Sequence, residues 1–122
     1  MNPETIQANG HRIALIREKD ILLTDDQSAL DFMSSVDYLT DAQRIVLPLT
    51  CLPEAFFDLS SRIAGGILQK FVNYRFKIAI WGDFSVFHSK PLRAFMDESN
   101  RGRDIFFCPD EEAAVRALSR DV

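Results

Sequence analysis

At 122 residues the chain is long enough to bury one hydrophobic core and too short for two. Apolar residues make up 47% of it and charged residues 26%, without any low-complexity run, which excludes a disordered tail. Eighteen acidic against fourteen basic side chains leave a net charge of −4, so the cationic footprint that binds phosphate backbones is missing and nucleic acid is not an expected partner.

The chain reads as one domain, residues 1–122, with residues 1–10 partly ordered. Met1 to Gly10 is polar and has no basic region followed by an apolar segment, so no secretory signal is expected and the cytoplasm is the default location. Ile13 to Ile16 and Ile21 to Thr24 are short apolar runs separated by Arg17-Glu18-Lys19-Asp20, which predicts a hairpin of two strands. Thr24 followed three residues later by Gln27 has the form of a capping box. Ala29, Phe32, Met33 and Val36 then fall at i, i+3, i+4 and i+7, the stripe of a first amphipathic helix.

Ile45-Val46-Leu47 predicts a strand that Pro48 ends or places where no N–H donor is needed. Asp58 or Ser60 is positioned to cap a second helix, whose buried stripe is Ala64, Ile67, Leu68 and Phe71. Gly65 and Gly66 lie inside that helix, which predicts close packing of helix on sheet to offset their poor helix propensity. Ile78 to Trp81 is apolar without alternation, as in a central strand covered on both faces, and Gly82-Asp83 ends it. Ser89 and Pro91 open a third helix with Leu92, Phe95 and Met96 inward, stopped by Asn100 and Gly102. Ile105 to Cys108 reads as the last strand. Asp110, Glu111 and Glu112 start a final helix, with Arg116 and Arg120 toward its end as the helix dipole favours. The order β-β-α-β-α-β-α-β-α predicts an α/β fold with a mixed sheet whose later strands are parallel. None of the apolar runs approaches the about 20 residues of a membrane span, so no membrane partner is expected.

Phe56-Phe57-Asp58-Leu59, Ala64-Gly65, Ile67 to Tyr74 and Gly82-Asp83-Phe84-Ser85 resemble a bacterial family catalogued as a domain of unknown function, DUF4180. Glu98 to Arg103 and Ile105-Phe106-Phe107 extend the resemblance, which brings no activity with it. By architecture the element order is similar to the STAS fold of anti-sigma-factor antagonists, which act by binding partners. That resemblance implies a regulatory serine or threonine at the start of the helix after the third strand, where this chain has Asp58-Leu59-Ser60-Ser61. Arg62 after Ser61 departs from the serine-glycine pairing of that motif.

In an open parallel sheet ligands bind beyond the carboxyl ends of the strands, which gathers Cys51, Asp58, Asp83 to His88 and Asp110 at one edge. Phe56 and Phe57 on one loop, with Phe84, Val86 and Phe87 on another, are candidates to line an apolar pocket or partner surface, with Asp83 and His88 beside them. Core packing of these rings is the competing reading. Ser60, Ser61 and Arg62 form a candidate anion or phosphorylation site, against simple capping. Arg93, Arg101 and Arg103 are candidates for a local anion patch, against salt bridges. Cys51 and Cys108 belong to no C-x-x-C pair, so neither metal nor cofactor is expected. The expectation is a non-catalytic binding module for a protein partner or small apolar ligand, with a homodimer left open. The alternatives are a small enzyme using Asp83, His88 and Cys51, and a phosphoregulated switch at Ser60 or Ser61.

Overall fold

The structure, a computed structural model, describes residues 1–120. It opens with a hairpin of β1 (Glu4–Ala8) and β2 (His11–Leu15), joined by Asn9-Gly10. Both linking residues have positive φ, 53° at Asn9 and 81° at Gly10. Such a two-residue loop has the twist that two antiparallel strands require, and Asn-Gly is its preferred sequence. This corrects the expected hairpin. Residues 13–16 do supply most of a strand, but its partner is 4–8, and residues 21–24 form no strand at all. Leu22 and Leu23 donate instead to the carbonyl of Cys51 at 2.9 and 3.3 Å, and Leu23 is fully buried over the strand ends.

Four α-helices and three further strands follow: α1 (Asp26–Thr40), β3 (Arg44–Pro48), α2 (Ile63–Asn73), β4 (Lys77–Trp81), α3 (Lys90–Asn100), β5 (Ile105–Cys108) and α4 (Glu111–Leu118). The sheet order is β1-β2-β3-β4-β5, antiparallel at β1–β2 and parallel elsewhere. The predicted α/β class with a mixed sheet and parallel later strands therefore holds. The strand expected at the centre, β4, is interior, but β3 is the middle one.

The cap of α1 also differs from the expected Thr24 and Gln27. Asp25 accepts from the Ser28 amide at 2.8 Å, and the Ser28 hydroxyl accepts from the Asp25 amide at 3.0 Å, a reciprocal box one residue further on. Ser89 and Asp110 cap α3 and α4 through the amides of Leu92 and Ala113.

Each parallel crossover joins neighbouring strands, so α1, α2 and α3 all lie on one face of the sheet. Ala14, Ile16, Ile45, Leu47, Ile78 and Ile80 meet Phe32, Phe71 and Leu92 there. The other face carries Ile13, Leu15, Val46, Ala79 and Phe106, and is covered by Ala114 and Leu118 of α4. Gly66 of α2 abuts the Asp26 carboxylate of α1, and Gly65 meets open space, so the expected helix-on-sheet approach is not what these glycines serve. The open edge of β5 is closed by Asn100, whose side-chain amide accepts from the Phe107 N–H at 2.7 Å and donates to its carbonyl at 3.2 Å. A side chain thus occupies the place of a further strand, a device that blunts edge pairing.

Gly65→Ala raises stability by about 0.5–1 kcal/mol, because the position is helical and unobstructed. Gly10→Ala lowers it by about 1–2 kcal/mol, the cost of a left-handed conformation for a residue with a Cβ. Urea unfolding of both variants checks the opposite signs.

Candidate functional site

The carboxyl ends of β2 to β5 are capped by loops that behave differently on the two faces of the sheet. On the three-helix face, short 3-10 turns at Glu54–Phe57 and Phe84–Val86 bring phenylalanines together over the strand ends. Phe57 stacks on Phe87 at 4.5 Å between centroids with 19° between planes, and meets Phe56 edge-on at 4.9 Å. Phe84 lies 6.2 Å from Phe57 and touches Phe107 edge-on at 5.6 Å, and Phe95 continues the series from α3. Phe56 and Phe57 are 1% and 7% exposed, so they are core residues that present no surface, while Phe84 and Phe87 are half-buried. Val86, at 60% exposure, is the side chain this aromatic clamp holds outward.

Most polar groups of the rim are committed to the loops that carry them. Asp83 accepts from the Ser85 hydroxyl at 2.5 Å and amide at 3.0 Å, and these bonds lower its pKa. Asp58 accepts from the Ser60 amide at 3.1 Å and hydroxyl at 2.6 Å. Both are the short side-chain turns that aspartate and serine favour. The Ser61 hydroxyl donates to the Ala55 carbonyl at 2.6 Å and accepts from the Ile63 amide at 3.2 Å. It is therefore Ser61, rather than Asp58 or Ser60, whose hydroxyl satisfies the first amide of α2, while Arg62 sits at φ 65° with no capping bond from its side chain.

Cys51 is fully buried and donates to the Glu18 carbonyl at 3.3 Å. Burial, reinforced by the charges of Glu18 and Asp20, pushes its thiol up to about 11. Burial likewise pushes Cys108 up to about 11, with Asp110 adding to the effect. A thiol so protonated is a poor nucleophile at neutral pH. His88 is exposed, and no hydrogen bond joins any two of Cys51, His88 and Asp83 among the described residues. Arg93 stands in the first turn of α3 and Arg101 just past its end, about 12 Å along the axis, and Arg101 pairs with Glu98 at 3.5 Å. No group of three or more histidine, cysteine or acidic side chains is placed to hold a metal ion among the described residues.

On the face covered by α4, the same strand ends form a cleft. The register pairs Leu15 with Val46 and Pro48 with Trp81. Two residues past Leu15, Arg17 therefore falls level with Pro48 and Trp81, on the face that Leu15, Val46 and Ala79 share. Arg17, just past the end of β2, and Pro48 and Trp81, the last residues of β3 and β4, line a space of about 340 Å³ together with Glu18, Lys19, Thr50 and Glu111. The roof is the first turn of α4. Arg17 spans the opening: Nε and Nη2 donate to both oxygens of Glu111 at 3.2 and 2.8 Å, and Nη1 donates to Glu4 at the start of β1. The hydrogen bonds and charge of Glu111, followed by the charge of Glu4, raise the Arg17 pKa further. Among side-chain nitrogens and oxygens sealed from solvent, one has no partner among the described residues: Nε1 of Trp81.

Sequence reasoning missed this cleft. The available signal was the two-residue period, which places Arg17, Pro48 and Trp81 on the same side as Leu15, Val46 and Ala79. That they come level depends on strand register, which sequence does not show.

These features define an α/β domain built on a single mixed sheet, with an aromatic clamp at the strand ends on one face and an open cleft on the other. The chain belongs to the family described as domain of unknown function (DUF4180), whose pattern matches residues 8–118, from the hairpin turn to the end of α4. No curated protein and no solved structure matches it.

Phe57→Ala costs about 3–5 kcal/mol, because the ring is buried and stacked between two loops; thermal and urea unfolding measure the loss. Iodoacetamide at neutral pH leaves Cys51 and Cys108 unlabelled in the folded protein and labels both once urea unfolds it. The sign follows from the raised pKa values, which keep both thiols protonated.

Proposed function

We propose that the protein is a non-catalytic cytoplasmic binding module that takes a small, largely apolar ligand at the carboxyl edge of its parallel strands. The observation that carries this reading is the strand-end cleft of about 340 Å³, which Pro48 and the Trp81 side chain line together with Arg17 and Glu111. Three facts support the reading. Strand carboxyl ends are where open α/β sheets bind ligands. The volume of about 340 Å³ lies at the small end of ligand pockets, which run from about 300 to 1,000 Å³. The thiols and carboxylates that an enzyme would use at this rim are either protonated or held in turns. No described helix is long and apolar enough to cross a membrane.

A second reading, a protein partner on the aromatic face, is favoured by the 60% exposure of Val86 on a turn fixed by stacked rings. Its test is Val86→Asp, since polar substitution of Phe87 would remove a ring that packs on Phe57.

Trp81 is the single tryptophan of the chain, so its indole N–H gives one resolved peak in a ¹⁵N–¹H correlation spectrum. Titration with phenol, a neutral planar probe that carries an acceptor oxygen, moves that peak saturably. The peaks of Val86 and of the loop residues near it stay in place. An indole peak that does not move while the protein remains folded overturns the cleft reading.

A further inference from the structure

The two edges of the sheet are finished differently. At β5 the Asn100 side chain takes up the Phe107 amide and carbonyl, but nothing among the described residues does the same at β1. The Ile16 amide donates to the Val46 carbonyl, so even-numbered residues of β2 turn their backbone groups toward β3 and odd-numbered ones toward β1. Glu4, Ile6 and Ala8 lie opposite Leu15, Ile13 and His11 and take up those odd-numbered groups. Thr5 and Gln7 therefore direct their N–H and C=O groups outward, and both residues are exposed. Pro3 has no N–H and Asn9 belongs to the turn, so these groups are the usable edge.

We propose that β1 pairs antiparallel with β1 of a second copy, about a two-fold axis at Ile6, joining two five-stranded sheets into one. This register sets Thr5 opposite the partner's Gln7 and satisfies every outward donor and acceptor of both strands. Shifting the axis to Thr5 or Gln7 carries the ladder into Pro3 or the turn. Ile6, half-buried beside the α4-face core, meets its own counterpart at a non-hydrogen-bonded position, where side chains approach most closely. Glu4 falls opposite the partner's Ala8, so no like charges meet. β1 also lacks the usual guards of an edge: its register with β2 holds no bulge, and no lysine or proline stands within it. Because Asn100 closes the other edge, the pairing stops at two copies and does not run on as a filament. A seam of five residues is short, so the dimer is weak and depends on concentration. It stands whether or not the cleft binds a ligand.

The test follows the full-length protein by sedimentation velocity over a dilution series up to millimolar concentration, with amide exchange measured at both ends of the series. The expected result is a monomer–dimer equilibrium in which the Thr5 and Gln7 amides slow as concentration rises. Two double variants at these exposed positions check the register. Thr5→Glu with Gln7→Glu sets carboxylates opposite one another across the seam, whereas Thr5→Lys with Gln7→Glu sets a cation opposite a carboxylate at the same points. The first dimerises about ten-fold more weakly than the second at low salt, the combined effect of two symmetry-related charge pairs. A protein that stays monomeric throughout the series overturns the proposal. So does a dimer that both variants form equally well, one whose Thr5 and Gln7 amides exchange as freely as in the monomer, or growth beyond two copies.

Discussion

Three right-handed crossovers in a row commit three helices to one face of the sheet, and among the described residues the other face is covered by α4, eight residues long. It packs on β3, β4 and β5. The connection from β5 is only Pro109-Asp110, so α4 has to begin at the strand ends and run back along the sheet. Ala114 and Leu118 seat it on Val46, Ala79 and Phe106, and small residues on both sides let helix and sheet approach closely. The end of β2 lies beyond its cover, and the gap between that strand end and the first turn of α4 is the cleft.

Arg17 is the residue that ties this thinly covered corner together. It leaves β2 on the open face and joins the starts of β1 and α4 through Glu4 and Glu111. All three side chains keep substantial access to solvent, so the stabilisation from these pairs is modest. Their contribution is positional: a bidentate arginine holds one orientation, which fixes the width of the opening that Trp81 and Pro48 floor. The opposite side of the rim is fixed by a different force. There the loops after β3 and β4 are held by ring packing, and the aspartates and serines that read as candidate chemistry spend their hydrogen bonds on local turns.

The residues explain why the fold was more legible than the site. The order of elements follows from the helical stripes at Ala29-Phe32-Met33-Val36 and Ala64-Ile67-Leu68-Phe71 and from the solid apolar runs of β4 and β5, which are local signals. The misplaced hairpin has a different cause. Ile21-Leu22-Leu23 is as apolar as a strand, but its amides pair with the Cys51 carbonyl, a contact between segments about thirty residues apart. Asn9-Gly10 carried the stronger turn signal and outweighs the polarity of Glu4-Thr5-Ile6-Gln7-Ala8, because an edge strand needs only one inward-facing apolar row. The candidate phenylalanines do converge, as their loop positions suggested, yet convergence buries Phe56 and Phe57 and leaves mainly Val86 outward. The cleft has only a partial local signal, the two-residue period that puts Arg17, Pro48 and Trp81 on one side. It arises from the register of three parallel strands and the shortness of α4, both properties of the assembled sheet.

The two sides of the rim are separated by very little chain. Trp81 faces the cleft and Phe84, three residues later, packs on Phe57 and Phe107 across the sheet. Between them Gly82 lies so close to Leu49 that an added Cβ would come within 2.6 Å of the Leu49 Cβ, an atom held by its own backbone. Pro48 precedes that leucine with its φ fixed by the ring, and the Gly82 amide donates to the Cys108 carbonyl at 3.0 Å. The end of β4 is therefore gripped from both neighbouring strands and from the aromatic side. On the proposed reading, a ligand beside Trp81 meets a floor that these contacts already hold, and pre-formed walls remove an entropic cost of binding.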